Sequence, residues 1–239
     1  MKKVLAAALV LILSVTAGVM SAYAEEKPRL GVLRFTNDTR ASWWSSGTGR
    51  DLQDMLASEL VSTKSFQVLE RKELDAVLGE QDLGASGRID PATKAKIGKI
   101  KGAQYLIAAT VSAFEENTEG QGGGIGIAGI NIGGSEAKAY MAVDLKVIDA
   151  TTGEVVDART VEASSKSSAS SISGGYGMFS GGMSQHKKTP VGKAIRACII
   201  EISEYLQCSL TKKGSDCMAA YDAKESKRKD TTKKSIELE

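Results

Sequence analysis

Histidine, proline and aromatic residues are scarce in this 239-residue chain, with one His, three Pro, and Phe, Trp and Tyr together at 5%. The single histidine, His186, lies among Ser184, Gln185, Lys187 and Lys188 with no acid beside it. A general base needs an orienting partner, so His186 reads as a solvated loop residue. Three cysteines and one distant histidine do not make a zinc site. Asp and Glu are spread over helix faces without an acid–base pair. The sequence therefore proposes no catalytic constellation, no metal and no cofactor, and the expectation is that the chain is not an enzyme. An excess of charge is also missing. There are 31 basic and 29 acidic residues, and Lys2 and Lys3 account for the whole difference. A neutral mature chain gives no electrostatic reason to expect nucleic acid or an anionic membrane surface as partner.

The long apolar run, Val4 to Val15, is short for a membrane-spanning helix. Lys2 and Lys3 precede it, and Ala22-Tyr23-Ala24 follows with small residues at the positions that signal peptidase reads. Residues 1–24 are thus expected to be a cleaved signal peptide, with the mature chain starting at Glu25 in the periplasm or outer membrane of a Gram-negative bacterium. No cysteine stands near the cut, so the expectation is that the chain is not a lipoprotein. In an oxidising compartment two cysteines pair. Cys208 and Cys217 bracket a short polar loop containing Lys212, Lys213 and Gly214 and are the expected disulfide. Cys198 sits in an apolar helical stretch and reads as a buried thiol.

Arg29 to Phe35 reads as a buried strand. Leu52, Met55, Leu56 and Leu60 recur at helical spacing over residues 50–62. Phe66 to Leu69 is a second strand, and Leu74, Val77 and Leu78 mark the inward face of a helix over 71–81. Asp90-Pro91 supplies an N-cap and a first-turn proline for a helix to about Lys101. Three more strands follow: Gln104 to Phe114, Lys138 to Asp149, and Glu154 to Ala163, the last two joined by a turn at Thr152-Gly153. A helix from about Pro190 to Leu206 turns Val191, Ile195, Ile199, Ile202 and Leu206 inward. From Asp222 the mixed charge and few apolar residues predict a disordered tail over 222–239. The fold class is α/β, a mixed sheet with amphipathic helices packed on it, within one domain over 25–221.

Two stretches interrupt this pattern. Residues 117–137 are rich in Gly and 164–188 in Ser and Gly. They read either as long loops or as β-hairpins reaching out of the domain. Gly124-x-Gly126-x-x-Gly129 matches a dinucleotide-binding fingerprint, but Ile130-Asn131-Ile132-Gly133-Gly134 cannot begin the helix that motif requires. Trp43 and Trp44, the only tryptophans, stand side by side in a polar loop after the first strand. They either pack on the core and cover a domain edge, or anchor a partner or line a narrow passage.

The segments LGVLRFTN (Leu30 to Asn37), GRDLQDMLASEL (Gly49 to Leu60), FQVLERKELDAVLGEQ (Phe66 to Gln81), GAQYLIAATVSAFE (Gly102 to Glu115) and VDLKVIDATTGEVVDARTVEA (Val143 to Ala163) resemble the CsgG/HfaB family. That family is typified by the outer-membrane secretion channel for curli subunits. Order and spacing agree over about residues 29–207, and VLER and V-I-D-x-x-T-G-E-V are the most specific parts. The resemblance implies an anticodon-binding-domain-like periplasmic domain. It implies two segments per subunit that become β-hairpins, closed by a homo-oligomeric ring into one outer-membrane barrel, and passage of unfolded fibre subunits without nucleotide hydrolysis. A periplasmic accessory factor that helps enclose the cargo is also implied. The two Gly/Ser-rich stretches fall where those hairpins would be, and Trp43 and Trp44 fall in the loop that narrows the pore, although that loop's aromatic motif is not reproduced.

A barrel strand needs an apolar outward face. Over 163–172, Ala163, Ser165, Ser167, Ala169 and Ser171 alternate with Ser164, Lys166, Ser168, Ser170 and Ile172, and neither set is lipid-like. Tyr176, Met178 and Phe179 are the candidates for a membrane interface. Two functions are therefore expected from the sequence: an oligomeric passive channel for secretion or assembly of surface fibres, or a soluble periplasmic scaffold of the same fold without a pore.

Overall fold

A computed structural model of the chain describes residues 26–120, 125–127, 130–132, 134–170, 189–211 and 216–235. The expected signal peptide, Tyr176, Met178, Phe179, His186 and the ends of the glycine fingerprint lie outside the described residues. Along the chain the strands are β1 (Arg29–Val32), β2 (Thr36–Asn37), β3 (Gln67–Leu69), β4 (Tyr105–Gly120), β5 (Ile125–Ile127), β6 (Ile130–Ile132), β7 (Gly134–Asp149) and β8 (Val155–Ser170). The helices are α1 (Thr48–Ser62), α2 (Leu74–Ala85), α3 (Pro190–Thr211) and α4 (Asp216–Lys234).

The main sheet has the order β3-β1-β4-β7-β8, with β2 also paired to β4. β1 runs parallel to β3 and β4, and the β4–β7 and β7–β8 pairs are antiparallel, so the sheet is mixed. Successive side chains of a strand point to opposite faces. Ile107, Ala109 and Val111 of β4 therefore share a face with Val143, Leu145 and Val147 of β7, and all six are at most 3% exposed. α1 and α3 cover that face. α1 presents Leu52, Leu56 and Leu60 at every fourth position, and α3 presents Val191, Ile195, Ile199, Ile202 and Leu206; all are buried. This periodicity is what makes them helices that stay on the sheet. Gln53 reinforces the packing from within: its buried Nε2 donates to the carbonyl of Val32 at 2.8 Å. Gly49 lets α1 begin against the chain between β1 and β2, because a Cβ there would collide with the Phe35 carbonyl.

Four expectations need correction. The helix from Asp90 to about Lys101 is not formed. Asp90 Oδ1 accepts from Ala92 N at 2.9 Å, and its carbonyl accepts from Thr93 and Lys94 N at 3.0 Å each, but the chain then breaks into turns. Gly98 takes a positive φ of 77° and Ile97 is 64% exposed, so the segment has neither a continuous apolar stripe nor a surface to pack it on. The tail expected to be disordered from Asp222 is helical as part of α4 to Lys234. Tyr221, 8% exposed, docks this helix, and Glu225 pairs with Arg228 and Lys229 along it. Val77 and Leu78 of α2, expected inward, are 40% and 42% exposed. Finally, β4, β7 and β8 are each 16 residues long and outrun the expected strands.

Candidate functional site at the root of the long strands

The extra length of β4, β7 and β8 lies at one end. β4 and β7 remain paired from Ala113↔Ala142 to Gly120↔Ser135, and β7 and β8 from Met141↔Ala163 to Gly134↔Ser170. The three strands thus leave the domain together as one arm, and β5 and β6 pair as a small separate hairpin in the segment between β4 and β7. The candidate site is the root of this arm, where it leaves the core.

A break in register builds that root. Val111 pairs with Val143 and Ala113 with Ala142, so Ser112 has no partner and β4 carries a bulge. A bulge moves every later side chain to the other face. Phe114 consequently sits opposite Met141, on the face that α1 and α3 cover, and Met141 is 1% exposed. Trp43 packs edge-on against Phe114 with centroids 5.4 Å apart, and Trp44 packs edge-on against Trp43 at 5.7 Å. Both tryptophans are half-buried against the core. The loop that carries them is stiffened at its start by Asn37, whose Oδ1 accepts from Thr39 N at 3.1 Å and Thr39 Oγ1 at 2.7 Å. At its end, Thr48 Oγ1 accepts from Ser45 N at 2.9 Å. The aromatic pair therefore seals the junction between loop, domain and arm.

The opposite face of the root is polar. Tyr140 lies across from Glu115, and burial followed by the neighbouring Glu162 raises its phenol to about 12. Arg228 of α4 reaches Glu162 at 3.9 Å. On the helix-covered face, the Arg159 guanidinium lies 4.9 Å and 5.0 Å from the ring centres of Tyr205 and Tyr221, and it donates to the Tyr221 carbonyl at 2.6 Å. Tyr205 donates to Asp157, with the hydroxyl 2.7 and 2.8 Å from the two carboxylate oxygens. Burial, then this hydrogen bond, pushes its pKa up. α4 thus crosses the outer edge of β8, from Tyr221 on one face to Arg228 on the other. Cys208 and Cys217 are joined with Cα atoms 6.1 Å apart, tying the end of α3 to the start of α4.

Open grooves of about 380 and 370 Å³ flank α1, against α3 and against β3. Neither is lined by His or Cys. Among the described residues no group of three or more His, Cys, Asp or Glu is placed to hold a metal. No helix among them is long and apolar enough to cross a membrane. Phe114, Tyr140, Glu162 and Arg228 were not singled out from the sequence. Phe114 ends an ordinary apolar strand, and only the bulge at Ser112 turns it toward Trp43.

A family model described as curli production assembly/transport component CsgG matches residues 13–236. The chain belongs to the CsgG family. No curated protein matches it. Solved structures are similar at low identity. The hypothetical protein CT253 from Chlamydia trachomatis is 14% identical, with a TM-score of 0.45 over 78% of this chain and 99% of that one. A PelC dodecamer from Paraburkholderia phytofirmans is 15% identical, with a TM-score of 0.35 over 76% and 88% of the two chains. A putative lipoprotein from Caulobacter crescentus CB15 is 14% identical, with a TM-score of 0.36 over 77% and 93%.

In this CsgG-family chain the two most specific segments shape the fold. Glu70 of VLER accepts from Lys72 N at 2.6 Å and from Glu73 N at 3.1 Å, organising the entry to α2. The bond from Glu73 N does most to hold its carboxyl below the usual range. Asp149 of V-I-D-x-x-T-G-E-V accepts from Thr151 N at 2.7 Å and Thr152 N at 3.1 Å, which lowers its pKa. Gly153, at φ 77°, completes the β7–β8 turn in a conformation that glycine alone adopts without strain.

Proposed function

We propose that the mature chain is exported and acts in an oligomeric ring as a chemically passive conduit for secretion or assembly of surface-fibre subunits, its long strands contributing to a shared outer-membrane barrel. One observation carries this reading: β4, β7 and β8 stay in register beyond the core as an arm. Beyond its pairing with β2 at Val111, β4 leads one edge of that arm, and β8 leads the other. A small isolated sheet is marginal in water, and long open edges recruit further strands. Joining the arms of neighbouring copies into a closed barrel removes the edges and satisfies the backbone in a membrane. The paired length of β7 and β8 beyond Ala142 is eight residues, close to the roughly 9–11 that a tilted membrane strand needs. In this reading Trp43 and Trp44 stand at the mouth of the passage, and selectivity comes from width and lining rather than chemistry. An accessory periplasmic protein that helps enclose the cargo fits the same reading.

The Ser-rich alternation over 163–172 favours a second reading, a periplasmic scaffold of this fold whose arm binds partners in water. The test is the size and membrane partition of the protein expressed with its own N-terminal segment. A large species that stays with the outer membrane after high-salt washing and needs detergent supports the channel. A small species released by osmotic shock overturns it and leaves the scaffold.

A further inference from the structure

We infer that the segment from Lys94 to Lys101 is a docking strip for an acidic stretch of a partner protein that also carries apolar side chains. The inference goes beyond the conduit and scaffold readings and holds under either. Between Asp90 and Glu115 the only charged residues are Lys94, Lys96, Lys99 and Lys101. Ile97 and Ile100 stand among these lysines at 64% and 41% exposed, and every residue from Asp90 to Gly102 is exposed. Among the described residues no ion pair engages the four lysines. Cations without acids and large apolar side chains without cover thus coincide in one short stretch.

The strip is anchored at both ends. Lys94 and Ala95 rest on α2 at Gly84, where an added Cβ would come 3.3 Å from the Lys94 Cβ. At the other end Lys101 Nζ donates to Gln67 Oε1 of β3 at 2.9 Å, and Arg29 Nε donates to the Gly102 carbonyl at 3.0 Å. Gly98, at φ 77°, turns the backbone between Ile97 and Lys99. A surface held in place loses less freedom on binding than a loose loop does.

Charge complementarity names the occupant. Four lysines call for carboxylates, and Ile97 and Ile100 call for apolar side chains between them. An anionic bilayer offers both chemistries, but it is broad and of one sign. α2, on which the strip rests, carries Asp75, Glu80 and Asp82 and no Lys or Arg. A flat anionic surface laid on the strip brings its phosphates against those carboxylates, and like charges brought together repel. A single acidic chain segment is narrow enough to follow the lysines and keep clear of α2. Nearby charges do not cancel the strip: Arg88 and Asp90 just before it are of opposite sign, and Arg29 beyond it is paired with Glu26 at 2.9 Å.

The test is fluorescence anisotropy of a short labelled peptide of alternating glutamate and leucine with the full mature chain. Saturable binding that weakens with salt is expected, since exposed charges are screened. Lys96→Glu with Lys99→Glu should weaken it about tenfold or more, and Ile97→Ser with Ile100→Ser by a similar factor. Lys227→Glu with Lys233→Glu on α4 should leave it unchanged. All these positions are exposed, and circular dichroism should be the same for every variant. A photo-crosslinker in the peptide should map to residues 94–101 of the wild type, a readout that needs no variant. No saturable binding, an equal loss in the α4 variant, or equal affinity for a peptide with serine in place of leucine overturns the strip as a specific site. Immobilised phosphatidylglycerol nanodiscs are the lipid probe: capture that depends on Lys96 and Lys99 and that the peptide does not displace makes the strip a membrane contact and overturns the protein partner.

Discussion

Trp43 is held on two sides, by Phe114 and Trp44, yet its buried Nε1 has no hydrogen-bond partner among the described residues. The ring is therefore favourable and the indole N–H costs something. Trp43→Ala should destabilise by about 2–3 kcal/mol, through lost aromatic contacts and a cavity at the arm root. Trp43→Phe keeps an aromatic contact and removes the unsatisfied donor, and should stay within about 1 kcal/mol of the wild type. Urea midpoints at unchanged slope separate the two outcomes. An equal loss in both variants would mean that the indole nitrogen has a partner in the assembled protein. Cys198 makes a second case. It is fully buried with Sγ 3.8 Å from the Met141 carbonyl, and burial, then Glu201, raises its thiol to about 12. The raised value means the thiol stays protonated at pH 8, and the thiolate is the nucleophile. Iodoacetamide at that pH should leave Cys198 unmodified in the native chain and alkylate it fully in denaturant.

At the scale of elements, α1 and α3 were legible because their apolar residues recur at helical spacing and one sheet face receives them. The strands over 104–114 and 138–149 were legible from their apolar runs, but their true lengths were not. Gly- and Ser-rich sequence carries no periodic signal, and the pairing that extends it comes from the neighbouring strand. The segment after Asp90 misled because a sound cap was followed by no stripe, and a cap stabilises a helix by only about 1 kcal/mol. α4 misled in the other direction. Its composition looks disordered, and three attachments absent from composition hold it: the Cys208–Cys217 bond, the Tyr221 and Arg159 cluster, and the Glu225 pairs. Reducing the disulfide opens a loop with sequence separation 9, worth roughly 2–3 kcal/mol on chain-entropy grounds. Hydrogen exchange should then lose protection over 216–234 while 48–62 and 190–206 keep theirs. Acid acts on the same helix. Arg228, most of all, holds the Glu225 carboxyl down at about 2, against an ordinary 4.5. A lowered folded value gives stability that is present above pH 4.5 and lost as the pH falls toward 2. Helicity over 216–234 should fall in that window, and Glu225→Gln should remove the pH dependence.

The whole molecule separates into a core and an arm that answer to different physics. The buried apolar residues Leu30, Val32, Ile107, Val111, Leu145, Val161, Ile195 and their neighbours pack into one cluster between the sheet and the helices α1 and α3. Family-specific turns and caps, Glu70 and Asp149 among them, also belong to the core. Folding free energy should then reside in residues 26–116, 139–165 and 189–211, and the arm should contribute assembly rather than stability. Replacing 117–138 by Asn-Gly, which joins the paired residues Glu116 and Ala139 through a tight hairpin turn, and 166–188 by a short Gly/Ser linker tests this division. The shortened chain should unfold in a single transition with a urea midpoint within about 0.5 M of the parent, since domains carry their stability in their own core. It should also no longer require detergent. A large loss of midpoint would mean that the arm folds back on the domain and belongs to its core. An unchanged midpoint with membrane partition retained would place the attachment to the membrane outside the arm, and the barrel with it.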